Sequence, residues 1–129
     1  MALTLDEANR MVQAAINKAK EMNIDLSVAV CDAGGHLLAF NRMAGAIWLS
    51  ATVAQGKVVA ATGFGRDSGV IPTDSPIIQA ILAAQGGRMI AAQGAVTIRR
   101  NGELIGAIGG SGATAQQDEE CAQAGAAAL

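Results

Sequence analysis

The chain has a single histidine, His36, and it stands directly behind a glycine pair in Asp32-Ala33-Gly34-Gly35-His36. An imidazole at such a turn can ligate haem iron or move a proton as general acid or base, or it can simply be solvated. Arg42, Arg66 and Arg88 fall in or just after loops. A guanidinium fork there suits a substrate carboxylate or a haem propionate, and equally a surface ion pair. Lys57 interrupts an otherwise apolar stretch, so its ammonium must either meet a carboxylate or reach water past its own stem. Near the end, Gly109-Gly110-Ser111-Gly112 precedes the acidic run Gln116-Gln117-Asp118-Glu119-Glu120. The amides of Gly110 and Gly112 could form an anion nest beside the Ser111 hydroxyl, with Asp118 moving protons. Alternatively, the glycines only let a buried strand turn sharply, and Asp118 only complements the helix dipole behind it.

The inventory also excludes chemistry. With one histidine, every serine-histidine-acid grouping is the same guess, and a histidine cluster for metal does not exist within one chain. Cys31 and Cys121 lie far apart and match no ligand spacing, so they read as small core residues.

The elements that must position these side chains are legible from periodicity. Thr4-Leu5-Asp6-Glu7 is a capping box, and the apolar stripe behind it predicts a helix ending near Asn23. Leu26 to Cys31 reads as a strand, Asp32 to Gly35 as a turn, and His36 to Arg42 as the returning strand. From Ala46 to about Thr62 the chain is apolar on almost every side, which predicts a helix covered on two faces, with Trp48 as its anchor. Gly63 to Ser75 is a long aperiodic loop, and Ser75-Pro76 opens a helix to Gln85, stopped by Gly86-Gly87. Asn101-Gly102 joins the strands Ala95–Arg100 and Glu103–Ile108 as a tight hairpin, and a last helix runs from about Ala115 to Ala127. Tight turns between neighbouring strands predict a mainly antiparallel sheet with helices packed against it, in one domain spanning residues 1–129.

Composition narrows the partners. Hydrophobic residues make up 51% of the chain but aromatic ones only 2%, so the interior must be built from Ala, Val, Ile, Leu and Met. The apolar surplus, in a chain with no membrane-length apolar run, predicts faces buried in a homo-oligomer. A net charge of −2 with dispersed charges gives no footprint for nucleic acid. The N-terminus carries no signal or transit pattern, which predicts a cytoplasmic protein.

Val28-Ala29-Val30-Cys31-Asp32-Ala33-Gly34-Gly35-His36-Leu37-Leu38-Ala39-Phe40, Arg42-Met43, Lys57, Gly106-Ala107-Ile108-Gly109, Ser111-Gly112 and Gln117-Asp118-Glu119 together resemble the GlcG/HbpS family. That family includes the C-terminal domain of PduO-type corrinoid adenosyltransferases. The resemblance covers nearly the whole chain and implies an α+β, three-layer α/β/α domain around an antiparallel sheet of about five strands. It also implies tetramers or octamers, and haem binding or haem-linked redox sensing. Ala44 stands where the family usually has aspartate, Gln93-Gly94-Ala95-Val96 where it has a Gly-Gly-X-Pro turn, and Gly110 where valine is commoner.

Two functional readings result. One is an oligomer that binds haem or a related small ligand, with His36 near the iron and an arginine near the propionates. The other is a metal-independent enzyme of aromatic catabolism acting on a small unsaturated carboxylate from ring cleavage: a deaminase of aminomuconate type, a hydrolase or a tautomerase. There Arg42 or Arg66 would clamp the carboxylate, His36 or Asp118 would move protons, and Ser111 would offer a hydrogen bond.

Overall fold

Thr4 opens the first helix as its spacing from Glu7 requires. The Glu7 amide donates to Thr4 Oγ1 at 3.1 Å and the Thr4 amide to Glu7 Oε1 at 2.9 Å, so two of the amides that a helix start leaves free are satisfied. The computed structural model describes residues 1–129. Its elements run α1 (Leu5–Glu21), β1 (Ser27–Asp32), β2 (Leu37–Arg42), α2 (Leu49–Phe64), α3 (Pro76–Ala84), β3 (Ala95–Arg100), β4 (Glu103–Ser111) and α4 (Ala115–Ala126), with a short 3-10 turn at Ser68–Val70.

The sheet is antiparallel, in the order β2-β1-β4-β3. It has four strands rather than five. The room left for a fifth, between Gly86 and Gly94, is taken by a segment that lies along α2, where the Ile90 amide donates to the Gly56 carbonyl at 3.0 Å. A backbone donor committed to a helix is not available to a ladder.

Alternation along the central strands separates the two faces. Val28, Val30 and Ile108 face α1 and α4 and pack with Met11, Ala15 and Cys121. Ala29, Cys31, Ala95 and Ala107 face α2 and pack against Ala54, Val58 and Ala61. The second core is almost all alanine and valine, so α2 lies close to the sheet. Both cysteines are free and buried, and burial pushes both thiols up to about 11.

Trp48 does not anchor α2. It precedes the helix and is 77% exposed, and the helix begins at Leu49 rather than Ala46. A buried serine pair holds the helix start instead. Ser50 Oγ donates to the Ile47 carbonyl at 2.6 Å and lies 2.8 Å from Ser27 Oγ on β1.

The long loop after α2 has a structural use. Ser68 Oγ accepts from the Ala95 amide and Asp67 Oδ1 from the Thr97 amide, each at 2.9 Å, so alternate free donors along the β3 edge are sealed by side chains. The helix that follows, α3, buries none of its residues, and Ile77 is 65% exposed.

A candidate binding site at the first hairpin turn

The β1–β2 turn is built around one carboxylate. Asp32 Oδ1 accepts from the Gly34 amide at 2.9 Å and the His36 amide at 3.0 Å, and it stands 3.1 Å from His36 Nδ1. Gly35 supplies the left-handed conformation that the turn needs, at φ +79°. Burial works against the Asp32 carboxylate, but the amides of His36 and Gly34, together with the imidazole, outweigh it and hold the carboxyl below its ordinary range. An ionised carboxylate can only accept, so Nδ1 is the nitrogen that donates here, which in the neutral imidazole leaves the Nε2 lone pair facing outward. No side chain or backbone group in the fold bonds Nε2, and the ring is 78% exposed.

The imidazole borders an open groove of about 430 Å³. Ala33, Leu104 and Ile105 give it an apolar wall, while Asp32 and Glu103 make its rim acidic.

A second charge pair is buried. Lys57 on α2 and Asp118 on α4 come from opposite faces of the sheet, yet Nζ lies 3.3 Å from Asp118 Oδ2 and donates to the Gly110 carbonyl at 2.9 Å. Both side chains are about 95% buried, their exposures being 5% and 4%. Asp118 Oδ1 accepts from the Ala113 amide at 3.0 Å, which completes the carboxylate's partners. Desolvation pulls the Lys57 ammonium below its ordinary value, with Asp118 pulling the other way. The lysine passes Gly94, at φ +145°, where an added Cβ would stand 2.5 Å from Nζ and 2.7 Å from the Gly110 carbonyl oxygen. Of the two possibilities for Lys57, the carboxylate is the one realised.

The glycine run does not form a nest. Gly110 donates its amide to the Gly94 carbonyl at 2.9 Å and gives its own carbonyl to Lys57, so neither group is left for a ligand. A Cβ at Gly110 would stand 2.9 Å from the Asp118 carbonyl oxygen, which makes it a packing glycine. Gly112, at φ +130°, presses against Leu26. Ser111 ends β4 opposite Ser27, whereas Asp32 sits opposite Gly106. Ser111 is therefore five ladder positions from the His36 turn, or about 17 Å at ~3.4 Å per residue. Within one protomer the catalytic trio His36, Ser111 and Asp118 is not brought together.

The arginines separate into roles. Arg42 Nη1 donates to the carbonyls of Met43, Ala44 and Ala46 at 3.3, 3.2 and 3.1 Å and so ties down the loop before α2. The Arg66 guanidinium is exposed and makes no hydrogen bond or ion pair within the fold. Arg88 borders two small grooves on the outer side of α2. Asp32 joins the candidate site although its motif reads as a turn; its signal in the sequence is an acid four residues before the one histidine, across two glycines.

Comparison with known proteins identifies the class. Residues 3–127 match the family model described as haem degrading protein HbpS-like, and the chain belongs to that family. It is 34% identical over 108 residues to protein GlcG of Escherichia coli strain K12, covering 83% of this chain and 79% of GlcG. It is 27% identical to the corrinoid adenosyltransferase PduO of Salmonella typhimurium, but spans only 39% of that protein. Among solved structures, the PduOC:heme complex superposes with a TM-score of 0.90 at 25% identity, covering 100% of this chain and 96% of that one. A double mutant of Streptomyces reticuli HbpS gives 0.88 at 28% identity, covering 100% and 88%.

Proposed function

We propose that this chain is a haem-binding protein that works as a homo-oligomer, with the hairpin turn as its haem site and His36 Nε2 as the iron ligand. The observation that carries this reading is the Asp32–His36 contact at 3.1 Å, since it holds the proton on Nδ1 and leaves the outer nitrogen free beside an apolar wall. A second group that orients a ligating histidine in this way is a general feature of metal sites. The match to the HbpS-like family and the likeness to a haem-bound relative support it.

The donor set fits haem better than a bare ion. No third histidine, cysteine or acid joins Asp32 and His36 as a possible metal ligand. Leu104 and Ile105 suit the porphyrin face, and the carboxylates of Asp32 and Glu103 turn the propionates away from that end, toward solvent or a neighbouring subunit. Bound there, haem would supply an iron centre for redox or ligand exchange, while Asp32 keeps the imidazole in one tautomer.

The oligomer accounts for α3. Its sequence, Pro76-Ile77-Ile78-Gln79-Ala80-Ile81-Leu82-Ala83-Ala84, is nearly all apolar, yet no residue of it is buried by its own chain. A nine-residue helix gains little from propensity and needs a packed face, which a second copy would provide.

Titration of haem into the intact protein tests the reading. We expect a saturable shift of the Soret band at one haem per protomer; an unchanged haem spectrum at protein excess would overturn it.

A further inference from the structure

Beyond the hairpin turn from His36, the solvent side of α2 carries two adjoining depressions of about 260 and 130 Å³ that share Val59 and Arg88. Their charge is opposite to that of the His36 groove. No carboxylate lines either one, and the polar groups beside Arg88 are neutral, namely Thr52, Gln55, Thr62 and Gln85. The Arg88 guanidinium forms no hydrogen bond or ion pair anywhere in the fold.

The place of Arg88 is nonetheless fixed. The residues after it are set directly onto the backbone of α2 at two glycines. A Cβ at Gly56 would stand 2.6 Å from Ile90 Cγ1, and one at Gly63 would collide with Met89 Cε. The Ile90 amide donates to the Gly56 carbonyl at 3.0 Å, and the Arg88 amide to the Gln85 carbonyl at 3.3 Å. The segment is thereby clamped along about two helical turns. The Thr62 hydroxyl is spent on the Val58 carbonyl at 3.0 Å and one Gln55 N–H on the Ala51 carbonyl at 3.1 Å, so Thr52 and Gln85 are the neutral groups left beside Arg88. An arginine on a clamped segment in an acid-free groove is arranged to receive negative charge.

We infer that the outer face of α2 carries a second binding site, centred on Arg88, that takes a small polar monocarboxylate. One planar guanidinium matches one carboxylate in charge and in bidentate geometry. A phosphate dianion would find only half its charge compensated. The Gln85 amide and the Thr52 hydroxyl then read a hydroxyl or carbonyl on the same molecule, which an aliphatic acid lacks. The site is distinct from the haem reading in its polar side chains, since Arg88, Thr52, Gln55 and Gln85 take no part in the His36 groove, although Ala33 borders both.

The test is a titration of the assembled, ¹⁵N-labelled protein with sodium lactate, and in a separate arm with inorganic phosphate, read by NMR at the amides of Gly87 and Thr62. We expect lactate to shift both amides saturably. The half-saturating concentration should rise at least tenfold in Arg88→Gln and stay unchanged in Arg10→Gln, which removes an exposed guanidinium on α1, outside the groove. Shifts that do not saturate, that survive Arg88→Gln, or that saturate at lower phosphate than lactate would overturn the inference.

Discussion

Two base–carboxylate pairs lie in this molecule at nearly the same distance, Lys57–Asp118 at 3.3 Å and His36–Asp32 at 3.1 Å, and they do different work. The first is sealed between the sheet and two helices, and most of its hydrogen-bonding capacity is used inside the protein: the ammonium holds Gly110 and the carboxylate holds Ala113. The second sits at a turn, where the carboxylate is fully engaged but the imidazole is not. A pair sealed among the protein's own partners is structure, whereas a pair that leaves a ring nitrogen facing a groove is a candidate site. The family motif contains both, so motif alone does not separate them.

Breaking the buried pair should have the largest effect. Asp118→Ala leaves the Lys57 ammonium uncompensated and the Ala113 amide without its acceptor, and we expect a loss of about 3–5 kcal/mol in urea unfolding. Replacing both partners, as Lys57→Met with Asp118→Leu, should cost less than either single change, because no buried charge remains. Gly94→Ala attacks the same pair through the backbone. Its Cβ meets Nζ and its φ of +145° disfavours a side chain, so a loss of about 1–3 kcal/mol is expected from the same measurement.

The exposed pair should respond in the opposite sense. Asp32→Asn keeps an oxygen for the two turn amides, so stability should move by less than about 1 kcal/mol. Haem affinity, read from the Soret titration, should fall about tenfold, because the retained oxygen still meets Nδ1 but the negative charge that raises the ligand's basicity is gone. The smallest expected effect is in acid. Asp32 and Glu7 both have folded values below their ordinary ones, Glu7 through its bonds to the Thr4 amide and Arg100. The unfolded chain therefore binds more protons than the folded one as pH falls below about 4.5. Their contribution is present above that range and is lost as pH drops through the lowered values, so Tm should decline there and Glu7→Gln should flatten the decline.

Much of the architecture was legible because local chemistry and global fold agree. The Thr4–Glu7 box, the Asn101-Gly102 hairpin and the Ser75-Pro76 helix start lie where their residues put them. The misplaced features have tertiary causes. Trp48 looks like a core anchor by size, but the contact that seats α2 is between two serines 23 positions apart. The fifth strand is absent from a segment that lies along α2 instead, with the Ile90 amide on the Gly56 carbonyl, which periodicity cannot reveal. The candidate site was half legible: His36 stands out by being alone of its kind. Its partner Asp32 was hidden in a turn, and the fate of Lys57, Gly110 and Asp118 depends on elements that meet only through the sheet.

The claim that the exposed pair is the functional one meets its most direct test in His36→Ala, measured for haem binding and for unfolding on the same preparation. The account predicts loss of the wild-type Soret shift with stability unchanged within about 0.5 kcal/mol. An unaltered Soret shift in that variant would contradict it.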